Sequence, residues 1–194
     1  MTIENLLRAV PPPPAPFEAF SGPWESVEAE LGTALPPDYK DFVRLYGNGH
    51  FMQFLGVSVP RSLNPNTRLE LSVPRTCEMF RAFDDRDEFP YPFWPAPGGL
   101  VPFGGTDDGD ELFWLSRGAP SKWVVVVWDR GLGRFETLDC DLTDFLAGLA
   151  TGKILPKAFP EDLRTCEHLF QSGAKFVRFQ LRWRTSPGGF LGFR

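Results

Sequence analysis

Apolar residues recur at helical spacing in the first quarter of the chain. A helix is predicted on each side of Pro36–Pro37, whose rings favour a fixed elbow. Gly32 ends the first predicted helix, and residues 47–49 end the second. The two helices are therefore expected to form a bent pair that closes over a core. The inward-facing positions follow i, i+3, i+4 and i+7, and they are Trp24, Val27, Leu31, Tyr39, Phe42, Val43 and Tyr46.

Beyond residue 53 the pattern changes to short β-branched and aromatic runs, which are typical of strands. The run 123–129 is almost continuously apolar, so it predicts a central strand buried on both faces. The other predicted strands span 54–59, 100–103, 111–115 and 134–138.

Three further segments complete the predicted elements. Residues 61–74 are polar and predict a loop, whereas 77–85 predict a helix. Asp139 or Asp141 is expected to cap a last helix that Gly152 ends. Helices first, then strands, then one closing helix predict an α+β fold. The expected architecture is a single domain with a mostly antiparallel central sheet flanked by short helices.

Glycine and proline are unusually frequent, with 19 and 20 among 194 residues, and this excess predicts many turns. A run of prolines makes residues 1–20 a predicted proline-rich leader. Residues 21–152 are expected to form the α+β domain, and 153–194 a basic C-terminal extension. Within the extension, 160–170 predict a short helix. Residues 174–184 alternate apolar with mostly basic side chains and predict an amphipathic strand.

Charge is distributed unevenly along the chain. The total is −5, from 20 basic and 25 acidic residues. Residues 153–194 contain 8 basic and 3 acidic side chains, so residues 1–152 have a net charge of −10. An acidic body repels nucleic acid and suits a cationic protein partner. We therefore expect a protein partner and no direct contact with nucleic acid.

The chain is expected to be cytoplasmic, without a membrane span or a secretory signal. Its longest unbroken apolar run, 123–128, is far shorter than the roughly 18 residues that a bilayer requires. A signal peptide has a continuous apolar region, whereas an arginine and the proline run interrupt the first apolar residues of this chain. The cysteines are odd in number and far apart, which favours free thiols: Cys77, Cys140 and Cys166.

Two acidic segments are the candidate binding residues. Carboxylates at the density of residues 107–111 leave three interpretations open: a turn between strands, a partner surface, or a cation or acid–base site. The second segment, 78–88, includes most of the predicted helix 77–85 and the residues after it. The alternative for both segments is a pair of solvated loops. The predicted partner-binding residues are Asp84, Asp85, Asp87, Glu88, Asp107, Asp108, Asp110 and Glu111.

No residue pattern points to catalysis. His50 and His168 lie on distant segments, and neither belongs to a metal-ligand spacing. Gly104–Gly105 lacks the lysine and hydroxyl residue of a phosphate-binding loop. We therefore predict no catalytic residue, no cofactor and no metal. A small hydrolase or metal-dependent enzyme that uses 107–111 stays open as a less favoured interpretation.

Several motifs together resemble the SMI1/KNR4 (SUKH) superfamily. Residues 24–28 read WESVE, 35–42 read LPPDYKDF and 45–49 read LYGNG, which is similar to the family's opening. The segment 101–110, VPFGGTDDGD, is similar to its central strand and turn. The resemblance covers roughly residues 20–152.

This resemblance implies a non-enzymatic binding domain of α+β architecture. Bacterial members are commonly immunity proteins that bind and neutralise a toxin, often a nuclease or deaminase, and fungal members regulate cell-wall synthesis. The expected function is therefore neutralisation of a cognate toxin, a basic domain, by direct binding. The alternative is a scaffold or regulatory module with an endogenous protein partner. The family has no catalytic set to transfer to this chain.

Overall fold

A seven-stranded antiparallel sheet organises the protein in a computed structural model that describes residues 3–83 and 89–174. The strand order is β6-β5-β4-β3-β2-β1-β7, so most neighbours in the sheet are also neighbours in sequence. This arrangement confirms the predicted α+β fold with an antiparallel central sheet. The strands are β1 (Gly49–Phe51), β2 (Leu55–Val57), β3 (Leu100–Thr106), β4 (Glu111–Leu115), β5 (Val124–Asp129), β6 (Arg134–Leu138) and β7 (Phe170–Ser172).

Five α-helices lie within the described ranges, and they cover the two faces of the sheet unequally. Helices α1, α2, α3 and α5 contribute to the core on one face, here called the front. Helix α4 packs against β3, and its C-terminal half, with Cys77 and Phe80, lies on the opposite face, here called the back. Leu69 and Val73 of its N-terminal half belong to the front core. Their bounds are α1 (Glu4–Ala9), α2 (Trp24–Leu31), α3 (Pro37–Tyr46), α4 (Leu69–Arg81) and α5 (Leu142–Ala150). None of the helices in the described segments is long and apolar enough to cross a membrane.

The front core is centred on Trp114, which is fully buried in β4. Its ring makes an edge contact with Tyr39 of α3 at 4.9 Å between centroids. The hydroxyl of Tyr39 donates to the carbonyl of Ser58 at 2.8 Å, so this buried polar group is satisfied. Of the two predicted caps, Asp139 and Asp141, it is Asp141 that caps α5, because its carboxylate accepts a hydrogen bond from the Asp144 amide.

A smaller aromatic core occupies one half of the back face. Phe80 of α4 lies at its centre, 5.3 Å from the ring of Phe113 and 4.7 Å from that of Trp128. Phe93 stacks on Phe80 from the loop before β3. The other half of the back face, over β1, β2 and the ends of β3 and β4, has no such cover among the described residues.

The predicted loop over 61–74 is wrong in its second half, because α4 begins at Leu69. The predicted helix over 77–85 is correspondingly displaced, since α4 ends at Arg81. Pro74 lies inside this helix and suggested a loop. Burial of apolar side chains at helical spacing prevails over the missing hydrogen bond: Leu69, Val73, Cys77 and Phe80 are all fully buried.

The predicted short helix over 160–170 is wrong in its second half. A short 3₁₀ helix spans Glu161–Thr165, and Phe170 begins β7, which pairs with β1. The ring of Phe170 lies 4.9 Å from that of Phe51, so aromatic packing against β1 accompanies an extended backbone here. Of the predicted strand 174–184, residues 175–184 fall outside the described residues.

Residues 3–20 and 153–174 share the front core with residues 21–152. Leu6 and Val10 are buried, and α1 packs against α5. Phe159 and Leu163 are buried from the other end of the chain.

Candidate partner-binding site

The acidic turn, residues 106–110, joins β3 to β4. The Thr106 amide donates to the carbonyl of Asp110 at 3.0 Å, and the Gly109 amide donates to the carbonyl of Thr106 at 3.0 Å. Gly109 has a φ of +90°, a conformation that side chains with a Cβ rarely adopt. The chain therefore reverses within five residues and brings its aspartates to the end of the sheet.

Asp110 is directed into the protein, with only 4% of its surface exposed. Its carboxylate accepts from the hydroxyl of Thr106 at 3.0 Å and from the backbone amide of Arg130 at 3.0 Å. Arg130 belongs to the neighbouring turn between β5 and β6. Asp110 consequently fastens two turns to each other.

Asp107 and Asp108 are exposed on the same turn. The Asp107 amide donates to the carbonyl of Phe54 at 2.9 Å, which holds the backbone against the segment before β2. Within the described part of the chain, neither carboxylate forms a hydrogen bond or an ion pair. Two unpaired negative charges therefore project from a turn whose backbone is held on both sides.

Glu111 begins β4 and faces the back of the sheet. The strand register aligns His50, Gly56, Gly105 and Glu111 in one row across β1, β2, β3 and β4. The same row continues into the back core through Trp128 and Phe135. The carboxylate of Glu111 therefore projects into the uncovered half of the back face.

That uncovered half contains a cavity of about 340 Å³, here called the glycine cleft. Gly56 and Gly105 form its floor, and Arg75 of α4 forms part of its wall. Asp107 lies at the same cavity, which therefore adjoins the acidic turn. Burial raises the pKa of Glu111 to about 7; Arg75 opposes this shift, and Asp110 adds to it.

Comparison with known proteins gives the chain its family. The SMI1-KNR4 cell-wall family model matches residues 22–146, almost two thirds of the sequence. The chain belongs to the SMI1-KNR4 family of the SUKH superfamily. Searches of curated proteins and of solved structures found no significant match.

The SMI1-KNR4 match covers α2 through β6 and the start of α5, and so includes both the acidic turn and the glycine cleft. The motif residues that suggested the family are mostly structural. Tyr39 and Tyr46 are fully buried in the front core, and Trp24 packs against the ring of Tyr39.

Of the predicted partner-binding residues, the structure brings together those at 107–111. Asp107 and Asp108 are exposed, Asp110 is buried, and Glu111 is half-buried in the cleft. The four remaining positions lie outside the described residues: Asp84, Asp85, Asp87 and Glu88.

Sequence reasoning missed the cleft itself. The available signals were glycines inside strands, Gly56 and Gly104–Gly105, which are unusual because glycine weakens a strand. His50 was recognised only as a residue far from other metal ligands. Its place in a row with Glu111 depends on strand register, which is not a local property of the sequence.

Groups able to perform metal or thiol chemistry do not converge in the described segments. No set of three or more His, Cys, Asp and Glu residues there could hold a metal ion. Burial raises the pKa of Cys77 and of Cys140 to about 12, which disfavours the reactive thiolate form. What the described site offers is a charged, partly concave surface.

Proposed function

We propose that this SMI1-KNR4 protein is a non-enzymatic immunity protein that neutralises a cognate toxin by binding it directly. The observation that supports this proposal best is the acidic turn, where Asp107 and Asp108 are exposed on a backbone held from both sides. The expected toxin is nuclease- or deaminase-like, because such an enzyme presents a basic surface to its nucleic acid. The free cysteines fit action in the cytoplasm.

The electrostatics favour a cationic partner. Residues 1–152 have a net charge of −10. Exposed carboxylates on one side of an interface attract basic groups on the other, which raises the association rate more than the lifetime of the complex. A turn that is already held in place loses little conformational entropy when it is bound. Glu111 adds a carboxylate in the adjoining cleft, and Asp110 contributes through the turn that it holds.

The product of the neighbouring gene is the partner to test. Purified protein should co-purify with it as a stoichiometric complex and should suppress its toxicity in growing cells. Asp107→Asn combined with Asp108→Asn should slow association by about tenfold at low salt, with a smaller effect at high salt. The matched control is Glu25→Gln combined with Asp139→Asn, which removes the same charge at exposed positions outside the turn.

Two results would contradict the proposal. One is a neighbouring toxin that neither binds the protein nor loses toxicity in its presence. The other is an association rate that falls equally in the control pair, which would mean that net charge rather than the acidic turn guides binding.

A further inference from the structure

The floor of the glycine cleft is bare backbone where a sheet face normally presents side chains. In the cross-strand row, Gly56 and Gly105 separate His50 from Glu111. With neighbouring strands roughly 4.8 Å apart, the Cα atoms of His50 and Glu111 are about 14 Å from each other. The side chain of Glu111 reaches back over Gly105, since its Oε2 would lie 3.7 Å from a Cβ placed there.

Two of the three glycines beneath the cleft have a structural reason to be glycine. A Cβ on Gly104 would collide with the carbonyl oxygen of Gly56, and a Cβ on Gly105 would lie 2.9 Å from the carbonyl oxygen of Asp110. Gly56 has no such reason. Its φ is not positive, and a Cβ there would meet no atom closer than the His50 imidazole at 3.8 Å. A strand glycine without a local cause is typical of a position that another group approaches closely.

The carboxylate of Glu111 lacks a partner of its own. In the segments that the structure describes, it accepts no hydrogen bond and forms no ion pair. Arg75 on the facing helix donates instead to the side-chain oxygen of Asn66 at 2.9 Å. Arg75 therefore acts on Glu111 only through its charge and donates no hydrogen bond to it. A half-buried carboxylate without a hydrogen-bond donor is unfavourable, and a cation that entered from outside and paired with it would relieve this cost.

The shape of the cleft selects among cations. A flat floor of peptide backbone accommodates a planar group, and a guanidinium is planar, weakly hydrated and able to form two parallel hydrogen bonds with a carboxylate. An ammonium group is compact and strongly hydrated, and it cannot lie flat on the floor. A volume of about 340 Å³ lies at the small end of ligand pockets, which run from roughly 300 to 1,000 Å³, and so suits one side chain.

We propose that the glycine cleft receives an arginine side chain of the bound partner, with its guanidinium on the backbone of Gly56 and Gly105 and paired with the carboxylate of Glu111. This inference rests on the proposed function, because the arginine is supplied by the protein partner. Asp107 at the same cavity links the arginine subsite to the acidic turn.

The test uses the full chain and a small probe, N-acetyl-arginine amide, in an NMR titration. The amides of Gly56 and Gly105 should shift with the probe and saturate. N-acetyl-citrulline amide, which has the same shape without the charge, should cause no saturable shift. N-acetyl-lysine amide should bind at least fivefold more weakly.

Two variants test the two contacts separately. Glu111→Gln should weaken binding of the arginine probe at least tenfold, and Gly56→Val should abolish it by filling the floor. Glu25→Gln and Thr137→Val are the matched controls, since Glu25 lies on α2 and Thr137 lies on the edge strand β6, three strands away from β3 and outside the cleft. Thermal unfolding of each variant verifies that it is folded.

Several results would overturn the arginine subsite. They are shifts confined to residues other than Gly56 and Gly105, a lysine or citrulline probe that binds as tightly as the arginine probe, and undiminished binding of the arginine probe by folded Gly56→Val. A protein that captures its toxin but fails this titration would keep the proposed function and lose the subsite. A protein that binds the probe as expected but captures no toxin would keep the subsite chemistry and lose the partner assigned to it.

Discussion

Three aspartates within four residues have different roles at 107–110. The carboxylate of Asp110 is buried and accepts from Thr106 and Arg130, whereas those of Asp107 and Asp108 face solvent. The difference follows from the register of β3 on β4, which the acidic composition of the segment does not reveal. Mutations at the three positions should therefore affect different properties.

Asp110→Asn should lower the free energy of unfolding by about 1–3 kcal/mol, because its amide nitrogen would face one of the two donors that now meet the carboxylate oxygens. Asp107→Asn and Asp108→Asn should each change it by less than about 0.5 kcal/mol. Urea unfolding of the three single variants measures the contrast. Equal losses at all three positions would contradict the structural role of Asp110.

Asp38 makes stability depend on pH in an unusual direction. Burial raises the pKa of Asp38 from 3.8 to about 6, and the neighbouring charge of Asp141 adds to the shift. The folded protein then binds this proton more tightly than the unfolded chain does. Its contribution to stability therefore grows as the pH falls from about 7 through 6 and is complete below about 4. Glu111 acts in the same sense around pH 7.

Asp38→Asn should keep the hydrogen bond from the Thr143 amide, now 3.2 Å long, and remove the titration. We expect the gain in unfolding free energy between pH 7 and pH 4.5 to be smaller in this variant by about 2 kcal/mol, at roughly 1.4 kcal/mol per pKa unit. Chemical denaturation at a series of pH values measures it. Parallel pH curves for the variant and the wild type would exclude this role for Asp38.

At the scale of elements, the sequence predicted those helices and strands whose formation depends on the spacing of apolar residues within the element. Helices α2, α3 and α5 and strands β3 to β6 were predicted because each has its own apolar periodicity. Helix α4 was displaced because Pro74 obscured a regular pattern. Strands β1 and β7 were missed because each has only three residues and exists through its pairing partner.

The two parts of the candidate site, the acidic turn and the glycine cleft, differ in the same way. The acidic turn was predictable, since acidic residues around a glycine between two strands indicate a turn. The glycine cleft was not, because Gly56, Gly105 and Glu111 meet only through the pairing of β2 with β3 and of β3 with β4. Sequence patterns within one element contain no information about this juxtaposition.

Two neighbouring residues of α4 test the assignment of its buried face. Phe80 is fully buried among aromatic rings of the back core, whereas 42% of Met79 is exposed. Phe80→Ala should cost about 3–5 kcal/mol of unfolding free energy. Met79→Ala should cost less than about 1 kcal/mol. Thermal and urea unfolding measure both, and similar losses would mean that α4 does not cover the back face as described.

At the scale of the whole molecule, the N-terminal segment belongs to the folded body. Leu6 has no exposed surface, and the hydroxyl of Tyr46 donates to the carbonyl of Val10. The side-chain amide of Asn5 donates to Asp144 at 3.0 Å on α5. The stability of the front core thus depends on residues far apart in sequence, and α1 is an integral part of that core.

Leu6→Ala should lower the unfolding free energy by about 2–5 kcal/mol, because it leaves a cavity between α1 and α5. Glu4→Ala, at an exposed position of the same helix, should change it by less than about 0.5 kcal/mol. Urea unfolding of both variants tests the packing. A Leu6→Ala protein as stable as the wild type would mean that α1 does not pack on the core.

The bond between Asp110 and the neighbouring turn has an evolutionary consequence. The side chains of Thr106 and Asp110 and the backbone of Gly109 maintain the shape of the turn, while the exposed side chains at 107 and 108 take no part in it. Selection can therefore replace the residues at 107 and 108 one at a time without loss of the fold. Because the residues that form the turn are separate from those that contact a partner, the same fold can adapt to a partner whose surface changes. Sequence diversity among homologues should therefore be concentrated at positions 107 and 108.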